Sequence, residues 1–91
     1  MKLVSGRLTV LNKLGLHARA AAKVVKTASI FESDIFLGND DREVNAKSIM
    51  GVMMLAATQG VTLEVRVEGE DEKDAFAAIE SIFNERFGEE E

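Results

Sequence analysis

The chain has no cysteine, no proline, no tryptophan and no tyrosine, and it holds a single histidine. Without cysteine there is no disulfide framework, no thiolate chemistry and no Cys-based metal site. One histidine, with no carboxylates at ligand-like spacing beside it, does not make a metal site either, so no metal and no cofactor are expected. With no Trp or Tyr, little is left to line an aromatic pocket for a small ligand. No apolar run approaches the length of a membrane span. Met1 leads into an alternating pattern rather than a signal sequence, so the expected location is the cytoplasm, with no membrane insertion. Acid is absent from the first 31 residues, whose only charges are Lys2, Arg7, Lys13, Arg19, Lys23 and Lys26.

What is present suits one small soluble domain over residues 1–91. Hydrophobic residues make up 46% and charged residues 30% of the 91 residues, which is globular rather than disordered composition. A domain of this size buries a modest core and leaves little room for a deep cleft. The net charge of −5 disfavours a general nucleic-acid binder. It arises from the second half, where residues 64–91 are rich in Glu and Asp and end in Glu89, Glu90 and Glu91. Residues 88–91 are expected to form an acidic tail without fixed structure. The acid-free first third offers a positive surface for an acidic partner or a phosphate.

Periodicity places the elements. Residues 2–11 alternate, with Val4, Gly6, Leu8 and Val10 on one side and Ser5, Arg7 and Thr9 on the other, as in a strand with one wet face. "NKLG" turns the chain. Ala18 to Ser29 reads as a helix, with four alanines in its first half and Val24, Val25 and Ala28 facing a core. Phe31 to Leu37 and Arg42 to Ala46 form a hairpin around "GNDD". Ser48 to Thr58 is a second helix, Val61 to Val67 a clear strand, and Asp71 to Phe87 an amphipathic helix with Ala75, Phe76, Ile79, Ile82, Phe83 and Phe87 inward. The fold class is α/β (α+β), in the order β-α-β-β-α-β-α. It is an open-faced β-sandwich: one four-stranded antiparallel sheet with three helices packed on one face.

The histidine sits in "LGLHARAAAK", at the mouth of the first helix. A helix N-terminus exposes unpaired backbone N–H groups and partial positive charge, and phosphate is stabilised there. An imidazole at that point titrates near neutrality and attacks as a neutral nucleophile. Arg19 offers charge-assisted hydrogen bonds to phosphate oxygens, and Gly15 lets backbone come close. His17 could equally be an idle surface residue, an N-cap or a satisfied core histidine. In "AKSIMGVMML", Ser48 suits an N-cap. Ile49, Met50, Met53 and Met54 cannot all face inward if Val52, Leu55 and Ala56 do, which leaves a methionine-rich patch suited to docking, unless a loop covers the whole helix.

"GLHAR" at 15–19 followed by "KSIMGVM" at 47–53 resembles the HPr family, the histidine-containing phosphocarriers of the bacterial phosphoenolpyruvate-dependent phosphotransferase system. The resemblance covers nearly the whole chain, including "GEDEKDAFAAIESIF". It implies that His17 accepts a phosphoryl group from phosphorylated enzyme I and passes it to an EIIA-type domain. Arg19 would orient and neutralise the phosphate. Ser48 would be the regulatory serine modified by an HPr kinase/phosphorylase. Ile49, Met50 and Met53 would dock partners, with Lys23, Lys26 and Lys47 supplying charge around them. The chain would be a stoichiometric carrier rather than a free-standing enzyme, serving sugar uptake and carbon regulation; its size and surface make a monomer the expectation. Alternatives are the nitrogen-related branch, which the ending "IFNERFGEEE" resembles, and a regulatory binding module that carries no phosphate. The family usually has proline where Ala20 stands. Alanine restores an N–H at the helix mouth, so the site is expected to survive with its phosphate affinity retuned.

Overall fold

The structure, a computed structural model, describes residues 3–91; Lys2, the first residue of the expected first strand, lies outside the described residues. Four strands, β1 (Leu3–Thr9), β2 (Asp34–Gly38), β3 (Glu43–Asn45) and β4 (Thr62–Glu68), alternate with three helices, α1 (Ala18–Ala28), α2 (Ile49–Met54) and α3 (Glu72–Asn84). The strands form one antiparallel sheet in the order β1-β4-β2-β3. Period-2 patterning decides which face is covered. Leu8, Ile35, Leu37, Leu63, Val65 and Val67 point into the core, together with Ala20, Ala21, Val24 and Ala28 of α1 and Ala75, Ile79, Ile82 and Phe83 of α3. Burial of Ile79 and Phe83 contributes about 1.5–3 kcal/mol each. The open face carries Arg66, which lies over the Phe36 ring at 4.2 Å and pairs with Glu43 at 2.7 Å.

Gly6 shares the inward side of β1 because the Phe76 ring fills the space that its side chain would take. A Cβ there would come within 2.8 Å of the Phe76 ring. That contact seats α3 across β1.

Element ends differ from the sequence expectation, each for a local reason. The strand expected from Phe31 starts at Asp34 because the Glu32 and Ser33 amides donate to the Asp71 carboxylate, at 2.9 Å each, instead of joining the ladder. The Ser33 hydroxyl bonds Asp71 as well, and these donors, that hydroxyl first, hold the Asp71 carboxyl below its ordinary range. The helix expected to reach Thr58 stops at Met54. Its last amides tighten onto i−3 carbonyls, Leu55 to Val52 and Ala56 to Met53, and Ala56 turns into the left-handed region at φ 49. This frees the Ala57 carbonyl to accept the Leu16 amide at 2.9 Å. Ala57 is thereby buried, and Ala56, placed inward in the sequence reading, is exposed. The helix expected to reach Phe87 ends at Asn84. Arg86 and Phe87 adopt φ 56 and 54 in a short 3₁₀ turn, Arg86–Gly88, and Phe87 folds back edge-on to Phe83 with ring centroids 4.9 Å apart.

Candidate functional site

The segment before α1 is fixed by two close contacts. Gly15 has φ +71, and a Cβ there would lie 2.5 Å from the Ala57 carbonyl oxygen, so only glycine fits. Asn12, fully buried, donates from Nδ2 to the Gly15 carbonyl at 2.8 Å. Leu16 is buried, and His17 is the N-cap of α1 with extended backbone (φ −76, ψ −179). Its carbonyl accepts the Ala21 amide at 2.8 Å. The imidazole itself makes no capping bond, so it is free to serve something else. Ahead of it the first-turn amides have no intrahelical acceptor. Ala20 is among them, with its methyl fully buried.

The charged tail completes the site. Residues 88–91 fold back onto the turn before α1. Phe87 is buried, Gly88 reverses the chain at φ +81, and Glu89 reaches His17. The Glu89 Oε2 lies 2.5 Å from His17 Nε2, and its Oε1 accepts the second Asn12 Nδ2 hydrogen at 2.8 Å. The Lys13 amide donates to the Glu91 carbonyl, and the Lys13 ammonium lies 3.7 Å from the Glu91 carboxylate. The Asn12 amide, then the His17 ring and the Arg19 charge, hold the Glu89 carboxyl below the usual carboxylate range against the opposing effect of burial. The sequence reading found no carboxylate paired with His17. The fold brings one from 72 residues away.

The remaining predicted residues separate into two groups. Arg19 and Lys23 line an open hollow of about 780 Å³ with Lys13, Leu14 and the tail. Gly88 packs close under the Lys23 ammonium, which would lie 3.0 Å from a Cβ there. Lys26 is exposed in the last turn of α1. Ser48, Ile49, Met50 and Met53 belong instead to α2, which packs on α1 but does not line that hollow. The Ser48 hydroxyl accepts the Gly51 amide at 3.1 Å as an N-cap. Ile49, Met50 and Met53 are 41%, 70% and 41% exposed while Val52 is buried, so no loop covers the patch. Lys47 is half-buried and donates to the Phe31 carbonyl at 2.7 Å. Asn12 and Glu89 escaped the sequence reading. Their only sequence signals were an Asn in a Gly-ended turn and the opposite charge of the two chain ends.

A family model described as the PTS HPr component phosphorylation site matches residues 4–85. The chain belongs to the HPr family. A phosphocarrier protein HPr of Xylella fastidiosa is 56% identical over 87 residues, covering 96% of this chain and 98% of the relative. The solved HPr of Thermoanaerobacter tengcongensis superposes with a TM-score of 0.89 at 46% identity, covering all of both chains. A second structure from that organism, described as an HPr dimer, matches with a TM-score of 0.74 at 47% identity over 88% of this chain and 92% of its own. Membership in HPr makes the chain a phosphocarrier of the phosphotransferase system. Among the described residues no helix is long and apolar enough to cross a membrane.

Proposed function

We propose that the chain relays a phosphoryl group: His17 takes it from phosphorylated enzyme I and gives it to an EIIA-type domain, in sugar uptake and carbon regulation. The observation that supports this reading is a half-exposed imidazole at the N-terminus of α1 with no capping duty. Neutral His17 attacks phosphorus in line. The free amides of the first turn and Arg19 stabilise the three equatorial oxygens as charge spreads over them. Arg19 is exposed and holds no ion pair among the described residues, which leaves its guanidinium free for that task. All of these groups come from one chain, so a monomer suffices as the carrier unit, working in the cytoplasm.

The exposed Ile49, Met50 and Met53 side chains give the two partners a shared apolar surface, with Lys23 and Lys26 on the neighbouring helix. Phosphate added to Ser48 by an HPr kinase/phosphorylase would place charge beside that surface.

Incubating the chain with enzyme I, Mg²⁺ and phosphoenolpyruvate, then reading the intact mass, tests the acceptor half. One acid-labile phosphate is expected on the wild type and none on His17→Ala. A phosphate that persists on His17→Ala, or none on the wild type, overturns the reading.

A further inference from the structure

We propose that Glu89 is a positioning residue for phosphoryl transfer at His17. This inference rests on the carrier reading above and adds a residue outside the span, 4–85, that the family model matches.

The contact is built from several elements rather than being a loose surface pair. One carboxylate oxygen meets Nε2 at 2.5 Å, and the other is held at 2.8 Å by a fully buried Asn12 amide. The same amide fixes the Gly15 carbonyl in the turn that delivers His17. Behind Glu89 the tail is anchored by buried Phe87, and beyond it the Glu91 backbone is held by the Lys13 amide. Ring, turn and tail are therefore set by one buried side chain. The charged groups that line the hollow beside Glu89 are Arg19 and Lys23 of α1, Lys13 of the turn, and Glu90 and Glu91 of the tail.

The chemistry follows from the inventory of hydrogen-bonding groups. An ionised carboxylate only accepts, so Nε2 must carry the proton. In the neutral ring that leaves the lone pair on Nδ1. Nδ1 forms the new bond to phosphorus as the donor's bond to phosphorus breaks and its electron pair returns to the donor. The proton on Nε2 stays where it is, and the positive charge that develops on the ring is met by the Glu89 carboxylate. A carboxylate behind a catalytic imidazole acts in the same way in acyl transfer, fixing tautomer and orientation without taking the proton.

Nitrogen-15 NMR of the imidazole, measured beside the phosphorylation rate from enzyme I, tests the proposal in the wild type, Glu89→Ala and Glu90→Gln. The wild type should show one tautomer with the proton on Nε2. Glu89→Ala should show a mixture and accept phosphate about two- to tenfold more slowly, the cost of freeing one ordered side chain. Its remaining spectrum should report the same fold. Glu90→Gln makes the same change in charge without the contact and should match the wild type in both measurements. An unchanged tautomer in Glu89→Ala overturns the proposal. So does a rate equal to or above the wild type, which would make the tail a shield. A wild type that takes no phosphate overturns the carrier reading and this proposal together, whereas equal rates in wild type and Glu89→Ala overturn this proposal alone.

Discussion

Glu89 carries a charge whose fate depends on three neighbours. Asn12 Nδ2, the His17 ring and the Arg19 field lower its pKa in the folded chain. A carboxyl with a depressed folded pKa stabilises its contact above the unfolded pKa and loses that stabilisation as pH falls through the folded value. The tail is therefore expected to stay docked through the range in which a free glutamate protonates, and to detach below it. An acid titration followed by NMR on the Glu89 side chain and the tail amides checks this. A midpoint at or above that of the same tail as a free peptide would contradict it. Among individual residues, the placement of His17 and Arg19 at the start of α1 and of Gly15 in the turn before it was legible because all three fall within five consecutive positions. Asn12 and Glu89 were not, because their hydrogen bond spans 77 residues and no local pattern encodes it. The Lys47 contact was not legible for a related reason: its acceptor is the Phe31 carbonyl, and a backbone acceptor leaves no mark in sequence.

Helix α2 is a short element with a capped start and an exposed first turn. Ser48 caps it through the hydroxyl, and its next residues, Ile49 and Met50, are exposed. An aspartate accepts the same Gly51 amide and is as good an N-cap as serine. Ser48→Asp should leave thermal stability within about 0.5 kcal/mol of wild type yet weaken binding to enzyme I by about tenfold, or about 1.4 kcal/mol, through charge beside the docking patch. Titration calorimetry beside a melting curve separates the two effects. Unchanged affinity would end the regulatory reading of Ser48, and a lost melting transition would mean that the effect is refolding instead. The existence and type of the four strands and three α-helices were legible, as alternation in β4 and the three-four spacing in α3 each point to one structure. Their ends were not. Left-handed backbone at Ala56, Arg86 and Phe87 stops α2 and α3 early, and nothing in those residue types announces it, because alanine, arginine and phenylalanine all favour continuing a helix over such a turn.

At the scale of the whole molecule, charge is segregated along the chain and brought together again in space. The acid-free first third places Lys13, Arg19 and Lys23 along one hollow, and the acidic end returns to line the same hollow. The segregation was legible in the sequence; its reunion required the fold, in which Phe87 packs on Phe83 and turns the tail toward α1. The sheet itself keeps one face open and puts all three helices on the other, so the histidine stands at an edge of a small domain where successive partners can reach it. A carrier needs that access more than it needs a cleft, since it must both accept and give up the same group. The giving is the more demanding half. Chain phosphorylated by enzyme I, freed of enzyme I and phosphoenolpyruvate, and mixed with an EIIA-type domain should lose its phosphate as the EIIA domain gains it in equal amount, read by intact mass of both proteins. Phosphate that remains on the chain, or that leaves it only to water, would contradict the account.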